Sequence, residues 1–257
     1  MQPKLAALIV PIITLALGFP TSARAGLING SFEQYTGGSN GAPSQLGNSG
    51  TGGYTGLTGW TVGNGTYGFL MAPKVADTTG SYSPQFGNSM TLWGSNNGGL
   101  ATLSATSPDG GNYLALDAAS GYRGAGISQT LTGLKVGQQY AVSFHWASGQ
   151  QHGYDGDTFE SFQVSLGNQI QSTSVENNVS HGFTNWRQET LTFTADGASD
   201  ALTFLAVGTP SGLPPFALLD GVSFVAVPEP GSLALVGVGL AVTAAVRRVR
   251  GRAPAQV

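Results

Sequence analysis

Three histidines are the first side chains of this sequence to consider for chemistry, because imidazole binds metals and transfers protons near neutral pH. His145 lies in a stretch where apolar and polar residues alternate, whereas His152 and His181 lie between such stretches. The three show no H-E-x-x-H motif or similar ligand spacing. The histidines therefore give no support to a metalloenzyme.

An acidic segment carries three carboxylates, on Asp155, Asp157 and Glu160. Paired carboxylates can act as acid and base in glycoside hydrolysis, and closely spaced aspartates can bind calcium. No motif separates an acid from a base here, so the segment is more typical of a solvated loop. We therefore expect a protein without catalytic activity, and a calcium clip at Asp155 and Asp157 is the functional alternative.

The first 25 residues have the pattern of a secretory signal peptide. Lys4 is the only charge before an apolar run from Leu5 to Phe19, and Ala23-Arg24-Ala25 forms an A-x-A cleavage site. We expect cleavage after Ala25, so that the exported chain begins at Gly26.

The exported part of the chain is acidic and contains no cysteine. Residues 26–225 carry twelve acidic and four basic side chains, a net charge of −8. Such a surface repels phosphate backbones, which argues against a nucleic-acid partner. Without cysteine this part of the chain has no disulfide, and its length is sufficient to bury a core of its own.

Hydrophobic periodicity predicts an all-β fold for residues 26–225. Apolar and polar side chains alternate from Tyr140 to Ala147, and strand-like patterns recur in further stretches. These stretches are 113–117, 127–131, 162–166, 191–193, 202–206 and 216–225. Glycine-rich turns separate them and no long amphipathic helix is evident, so we expect an antiparallel β-sandwich or jelly roll.

Residues 35–59 differ in composition and are rich in glycine, serine and asparagine. Only Leu46, Tyr54 and Leu57 are available for burial. Because the chain entropy of such a segment outweighs so little apolar burial, we expect a flexible surface loop. A dedicated binding loop is the alternative.

Residues 226–252 combine three features in a fixed order. A Val-Pro-Glu-Pro element at 227–230 is followed by an uncharged run over 231–246 and then by a basic cluster. As a helix the run spans about 24 Å, and arginines can reach the membrane interface to cover the remaining thickness. We expect a transmembrane helix over 231–246, with residues 253–257 in the cytoplasm. The arginines that hold it there are Arg247, Arg248 and Arg250.

These three features resemble the PEP-CTERM sorting tail of Gram-negative bacteria, also called the ice-binding protein C-terminal domain. The resemblance implies processing by a membrane protease, exosortase, near the Pro-Glu-Pro, and a link to exopolysaccharide and biofilm. Pro228 and Pro230 also keep Glu229 extended and outside the helix, where a protease can reach its backbone. The resemblance therefore predicts a chain anchored in the inner membrane and then delivered to the cell surface or extracellular matrix.

Three further motifs resemble the galactose-binding-like jelly rolls, which include many carbohydrate-binding modules. LINGSFE at 27–33 opens the exported chain, GISQTLTGLKVGQQY at 126–140 leads into the alternating stretch, and LLDGVSF at 218–224 closes it. This resemblance covers most of residues 26–225. It implies that the first and last strands lie side by side.

The same resemblance implies a structural calcium ion where the first and last strands meet. Carried over by motif position, Glu33 and Asp220 supply carboxylates and Gly30 supplies a carbonyl. Calcium binds six to eight hard oxygen ligands, which suits an acidic chain. The family pattern often has two adjacent aspartates where this chain has Asp220-Gly221. The alternative is that Glu33 and Asp220 only accept hydrogen bonds at the strand ends.

Aromatic, amide and charged side chains beside the strands are candidates for binding a sugar. Flat rings stack on sugar faces, and planar polar groups recognise hydroxyls. We expect His145 to align with Gln163 on a sheet face opposite the core, with loop residues around that face. The full set of candidates is His145, Gln163, Trp186, Arg187, Tyr122, Arg123 and Tyr154. Packing in the core is the alternative for Trp186.

Together these features predict an exported, non-catalytic protein that binds carbohydrate, specifically exopolysaccharide of the matrix. A structural matrix or biofilm scaffold without a discrete ligand is the alternative. Polysaccharide hydrolysis and ice binding are less favoured, because the sequence shows neither a catalytic motif nor a regular threonine array repeated along the chain.

Overall fold

The computed structural model describes residues 26–39, 42–48, 50–73, 75–78, 80–100 and 107–228, which form fifteen β-strands and no helix. The strands are β1 (Tyr35–Gly37), β2 (Thr55–Leu57), β3 (Thr61–Val62), β4 (Gly68–Met71), β5 (Ser81–Ser83), β6 (Asn88–Met90), β7 (Tyr113–Asp117), β8 (Ile127–Thr132), β9 (Gln139–Gln150), β10 (Thr158–Leu166), β11 (Gln169–Ser172), β12 (Glu176–Asn178), β13 (Arg187–Thr194), β14 (Ser199–Thr209) and β15 (Pro215–Ala226).

Two antiparallel sheets form a sandwich. The six-stranded sheet has the order β11-β10-β14-β8-β3, with β12 also paired to β10. The five-stranded sheet has the order β13-β9-β15-β7-β4, and the short pairs β1-β2 and β5-β6 lie outside both sheets. The predicted all-β antiparallel sandwich is therefore confirmed.

The apolar side chains of the alternating sequence pattern fill the space between the sheets. Tyr140 and Trp146 mark the two ends of a buried row on β9. Phe144 of that row contacts Phe162 and Phe204 of the six-stranded sheet edge to face, with ring centres 6.3 and 5.1 Å away. These rings join the two sheets.

β4, β7 and the first half of β15 are buried on both faces of the five-stranded sheet, whereas the outer face of β13 is exposed. Leu114 and Leu116 of β7 face the other sheet, whereas Tyr113 and Ala115 belong to a second apolar cluster on the outer face. This outer cluster consists of Tyr67, Phe69, Met71, Ala76, Met90, Leu92, Tyr113, Ala115, Ala147, Phe183, Phe216 and Leu218. Burial on both sides explains why β7 is apolar at nearly every position instead of alternating.

Residues 35–59 are partly packed, which corrects the expectation of a flexible surface loop. β1 pairs with β2, and Leu46 and Leu57 are buried in the core between the sheets. The backbone N–H of Ser44 donates to Thr55 Oγ1 over 2.8 Å in a buried setting. These hydrogen bonds and the burial of Leu46 and Leu57 offset the chain entropy that is lost when the segment becomes ordered. The composition of the segment does not reveal these contacts.

The predicted signal peptide over 1–25 and the tail from Glu229 onward lie outside the described residues. The predicted helix over 231–246 and its arginines are part of that tail. Within the part of the chain that the structure describes, no helix is long and apolar enough to cross a membrane.

Removal of one ring that joins the sheets should weaken the whole fold. Phe204 is fully buried and contacts Trp60, Phe144 and Phe162. We expect Phe204→Ala to lower the free energy of unfolding by about 3–5 kcal/mol, as measured by urea denaturation. Ile170→Ala removes a 60% exposed side chain and should change it by less than about 0.5 kcal/mol. Similar losses in the two variants would contradict this account of the core.

Candidate functional site

A cleft of about 500 Å³ opens where several strands of the five-stranded sheet begin or end. Tyr67 directly precedes β4, Asp117 ends β7, Gln151 directly follows β9, and Pro214 directly precedes β15. Together with residues of β5, β6 and the turn between them, five separate parts of the chain therefore meet in it. The lining residues are Tyr67, Ser83, Phe86, Ser89, Met90, Asp117, Tyr122, Gln151, Tyr154, Ser211, Gly212 and Pro214.

Three tyrosines and a phenylalanine give the cleft its flat apolar surfaces. The Tyr67 ring centre lies 6.0 Å from that of Tyr122 and 5.7 Å from that of Phe86. The Tyr67 backbone N–H donates to the Tyr122 carbonyl over 2.8 Å, and its carbonyl accepts from the Asp117 N–H over 2.9 Å. Tyr122 and Tyr154 are 44% and 39% exposed, so both rings are accessible to a ligand.

Polar groups line the same cleft. The Tyr67 hydroxyl lies 3.1 Å from Ser83 Oγ, and burial raises the pKa of Tyr67. Asp117 is only 2% exposed, and its Oδ1 accepts from the Ala119 N–H over 2.8 Å. Burial raises the pKa of Asp117 to about 7, although that hydrogen bond acts in the opposite direction. Near neutral pH this carboxyl group can therefore donate as well as accept a hydrogen bond.

A stacked aromatic group adjoins the cleft through Tyr154. Trp93 Nε1 donates to the Tyr154 carbonyl over 2.8 Å. The Trp93 ring stacks on His181 at 3.9 Å and lies 4.2 Å from His152. His181 Nε2 is 2.5 Å from Asp155 Oδ1. The two loop histidines therefore pack against Trp93, whose indole holds the segment that carries Tyr154.

Two of the seven predicted ligand-binding residues, Tyr122 and Tyr154, line the cleft. The predicted alignment of His145 with Gln163 is wrong, because β9 belongs to the five-stranded sheet and β10 to the six-stranded sheet. His145 lies opposite Asp220 of β15 instead. Alternation along a strand shows which residues share a face, but it does not show to which sheet the strand belongs.

Trp186 and Arg187 pack against other side chains and are not among the residues that line the cleft. Trp186 meets Tyr113 edge to face at 5.3 Å and joins the outer cluster, in agreement with the core alternative. The Arg187 guanidinium lies 5.2 Å from the centre of the Trp146 ring, and its Nη1 donates to Glu176. Arg187 therefore joins β13 to β12, across the gap between the two sheets.

The acidic segment is not one solvated loop, which corrects the expectation for one of its members. Asp155 contacts His181 as described above, and Asp157 Oδ1 accepts from the Ser180 N–H over 2.9 Å. Glu160 lies in β10 and is fully buried. The three carboxylates therefore have three different environments.

The predicted calcium ligands lie where residues 26–34 meet β15, and two of the three are engaged. The Gly30 carbonyl accepts from the Val222 N–H over 3.0 Å. Both Glu33 carboxylate oxygens accept from Asn112, over 2.5 Å from its backbone N–H and 3.1 Å from its side-chain amide. These contacts match the alternative in which Glu33 only accepts hydrogen bonds.

Asp220 alone among the predicted ligands has a free oxygen. Its Oδ2 accepts from the Ser107 hydroxyl, whereas its buried Oδ1 has no partner. Burial is the main reason that the pKa of Asp220 is raised to about 7; the charges of Asp109 and Glu33 act in the same direction, and hydrogen bonds from Ser107 and Gly221 act against it. Among the residues that the structure describes, no three acidic or histidine side chains are grouped as metal ligands. Calcium at this position stays a prediction.

Sequence reasoning missed several lining residues of the cleft. The sequence does single out Asp117 as a candidate site residue, since it is the one charged residue of an otherwise apolar strand. Tyr67 and Gln151 lie in short segments beside strand ends, and nothing local shows that the fold brings them together. Arg123 was predicted beside Tyr122 but is not among the residues that line the cleft.

Comparison with known families matches residues 226–250 to the PEP-CTERM protein-sorting motif. The match includes the Pro-Glu-Pro element, the uncharged run and the three arginines, and it confirms the resemblance seen in the sequence. The motif indicates an exported protein that is sorted through its C-terminal tail. No protein with a curated description matches the chain.

Several solved structures that are similar to this chain are carbohydrate-binding modules. The CBM22-1 xylan-binding domain from Paenibacillus barcinonensis Xyn10C is 14% identical with a TM-score of 0.36, covering 66% of this chain and 87% of that domain. A CBM4 structure is 15% identical with a TM-score of 0.32, over 77% and 98%. TmCBM61 in complex with β-1,4-galactotriose is 14% identical with a TM-score of 0.29, over 81% and 100%. These likenesses concern the fold alone.

The buried carboxyl group of Asp117 should make stability depend on pH. Its pKa is about 7 in the folded protein against an ordinary value of 3.8, so the folded state binds more protons between these values. The free energy of unfolding therefore falls as the pH rises from about 4 to about 7. We expect Asp117→Asn to make this fall shallower, as measured by urea denaturation across that range.

Asp157→Asn is the matched control for this experiment, since it replaces an exposed carboxylate that also accepts a backbone N–H. An equal flattening of the pH profile in both variants would show that burial of Asp117 is not the cause.

Proposed function

We propose that this exported protein binds carbohydrate without catalysis, in the cleft lined by Tyr67, Tyr122 and Tyr154. The observation that carries the proposal is the grouping of aromatic rings with carboxyl, amide and hydroxyl groups in one open cleft of about 500 Å³. This combination is what recognition of a sugar requires.

The two kinds of surface in the cleft match the two kinds of surface on a sugar. The exposed rings of Tyr122 and Tyr154 suit the C–H faces of a pyranose ring. Asp117, Gln151 and Ser211 line the same cleft and offer both donors and acceptors to hydroxyl groups. The volume of the cleft is in the range of small-molecule sites, which favours a short stretch of a polysaccharide as the bound unit.

The proposed ligand is a neutral exopolysaccharide outside the cell. The sorting motif favours an extracellular ligand, and the net charge of −8 over residues 26–225 disfavours an acidic glycan, because like charges repel. Xylan and β-1,4-galactotriose, named for two of the similar structures, are neutral glycans and are suitable first probes.

Loss of the exposed rings should weaken glycan binding. We expect Tyr122→Ala and Tyr154→Ala each to reduce the affinity by about tenfold, since each removes a stacking surface. Phe159→Ala is the matched control, because it removes an exposed aromatic ring on β10 of the other sheet. Affinity electrophoresis of the full chain against neutral polysaccharides, followed by calorimetry on the best ligand, measures the effect.

Three outcomes of that experiment would contradict the proposal. Failure of the wild-type chain to bind any neutral glycan would favour the scaffold alternative. Binding that neither tyrosine variant weakens would move the site elsewhere on the sandwich. New reducing ends in the polysaccharide would indicate a hydrolase.

We also propose that an exosortase-type protease cuts the tail near Pro228-Glu229-Pro230 after the run over 231–246 has anchored the chain in the inner membrane. The intact mass of protein from the native cells should then correspond to a chain that begins at Gly26 and ends near Pro230. Glu229→Ala should leave the tail attached and keep the protein in the membrane fraction. Native protein that retains residues 1–25 and the whole tail would rule out this route.

A further inference from the structure

Four side chains that carry oxygen atoms are buried between the two sheets without hydrogen-bond partners. They belong to Ser148 of β9, Thr158 and Glu160 of β10, and Asn178 of β12, and each residue is at most 2% exposed. The unpartnered atoms are the two hydroxyl oxygens, both carboxylate oxygens and both amide atoms of these side chains. Buried polar atoms in folded proteins are almost always satisfied, so this group requires an explanation.

The strand register brings the four side chains together. Thr158 and Glu160 are two residues apart on β10 and therefore share one face, and Asn178 lies directly opposite Thr158. Ser148 comes from the facing sheet, two residues beyond the buried Trp146. The hydroxyls of Thr158 and Ser148 lower the pKa of Glu160 and hence lie near its carboxylate, although neither makes a hydrogen bond of regular geometry with it.

The carboxylate of Glu160 lacks a positive partner. Burial is the largest influence on its pKa and raises it to about 8, and no basic side chain of the described residues contributes. Arg187 is not that partner, because its guanidinium stacks on Trp146 and donates to Glu176. Glu176 lies opposite Glu160 on β12. An ionised carboxylate in this position is strongly unfavourable without a counter-ion.

The chemistry of the four side chains suits a hard cation. One carboxylate, two hydroxyls and one amide carbonyl offer about five oxygens. Calcium accepts six to eight oxygens in irregular geometry, with water completing the set, whereas magnesium requires a near-ideal octahedron. Zinc prefers nitrogen and sulfur. We propose that Glu160, Thr158, Ser148 and Asn178 bind a calcium ion in the interior of the sandwich.

An ion at this position joins both sheets and is separate from the predicted calcium position at Asp220. Asp220 shares the outer face of the five-stranded sheet with Leu218, whereas Ser148 faces the space between the sheets. Glu160 also lies opposite Gly208 of β14, close to the turn that continues into the cleft. The ion therefore stabilises the end of the sandwich that carries the cleft, without being part of it.

The test uses the full chain, freed of metal by a chelator and titrated with Ca²⁺ alone. We expect Ca²⁺ at about a hundredfold excess over its Kd to raise the unfolding midpoint by about 5–10 °C, with uptake measured by atomic emission. Glu160→Gln keeps the shape of the side chain and should abolish both the shift and one equivalent of bound calcium. Ser148→Ala should weaken the affinity by about tenfold or more, so that the shift at the same Ca²⁺ concentration falls to about half or less. Asp220→Asn should retain the interior ion.

Several results would overturn the proposal. The wild-type chain could bind no calcium, or Glu160→Gln could bind as much as the wild type. Loss of calcium in Asp220→Asn alone would assign the ion to the outer face. If Glu160→Gln does not fold, Ser148→Ala decides, because an unchanged affinity would exclude the interior site. The wild type could also bind two ions, one of which is lost in Glu160→Gln and the other in Asp220→Asn. That result would support an interior site in addition to the predicted one.

Discussion

Edge-to-face packing of Phe144, Phe162 and Phe204 between the sheets is the interaction on which the rest of the structure depends. The chain has no cysteine, so no disulfide can hold the two sheets together. Apolar burial must hold the sheets together instead. A second apolar layer lies on the outer face of the five-stranded sheet, where Met90 and Leu92 cluster with residues of β7 and β15. The cleft adjoins the outer of these layers, since Tyr67 and Met90 belong to the outer cluster and also line the cleft.

Much of the fold could be predicted from local pattern. The alternation from Tyr140 to Ala147 identified a strand and its inward face, because burial on one side imposes a period of two. Assignment of strands to sheets was beyond such reasoning: His145 and Gln163 lie on strands with similar patterns but belong to different sheets. Residues 35–59 were misjudged because composition does not show long-range hydrogen bonds.

The site was less predictable than the fold, for a physical reason. Tyr122 and Tyr154 were predicted as ligand-binding candidates because an aromatic ring beside a turn is a local signal, and both line the cleft. Asp117 and Gln151 owe their place in the cleft to strand pairings between distant parts of the chain. Glu160 shows the same limit in a sharper form, since it follows two exposed aspartates closely in sequence and yet points into the core.

The outer layer on the five-stranded sheet has a consequence for how such a protein can change. Where the outer layer covers β4 and β7, new contacts with a partner arise most easily in the connections between strands. Residues there, such as Tyr122, Tyr154 and Ser211, lie outside the hydrogen-bonded ladders. Exchange of these connections can alter the lining of the cleft while the buried rings between the sheets stay the same, so the surface of the cleft and the stability of the fold can evolve largely independently.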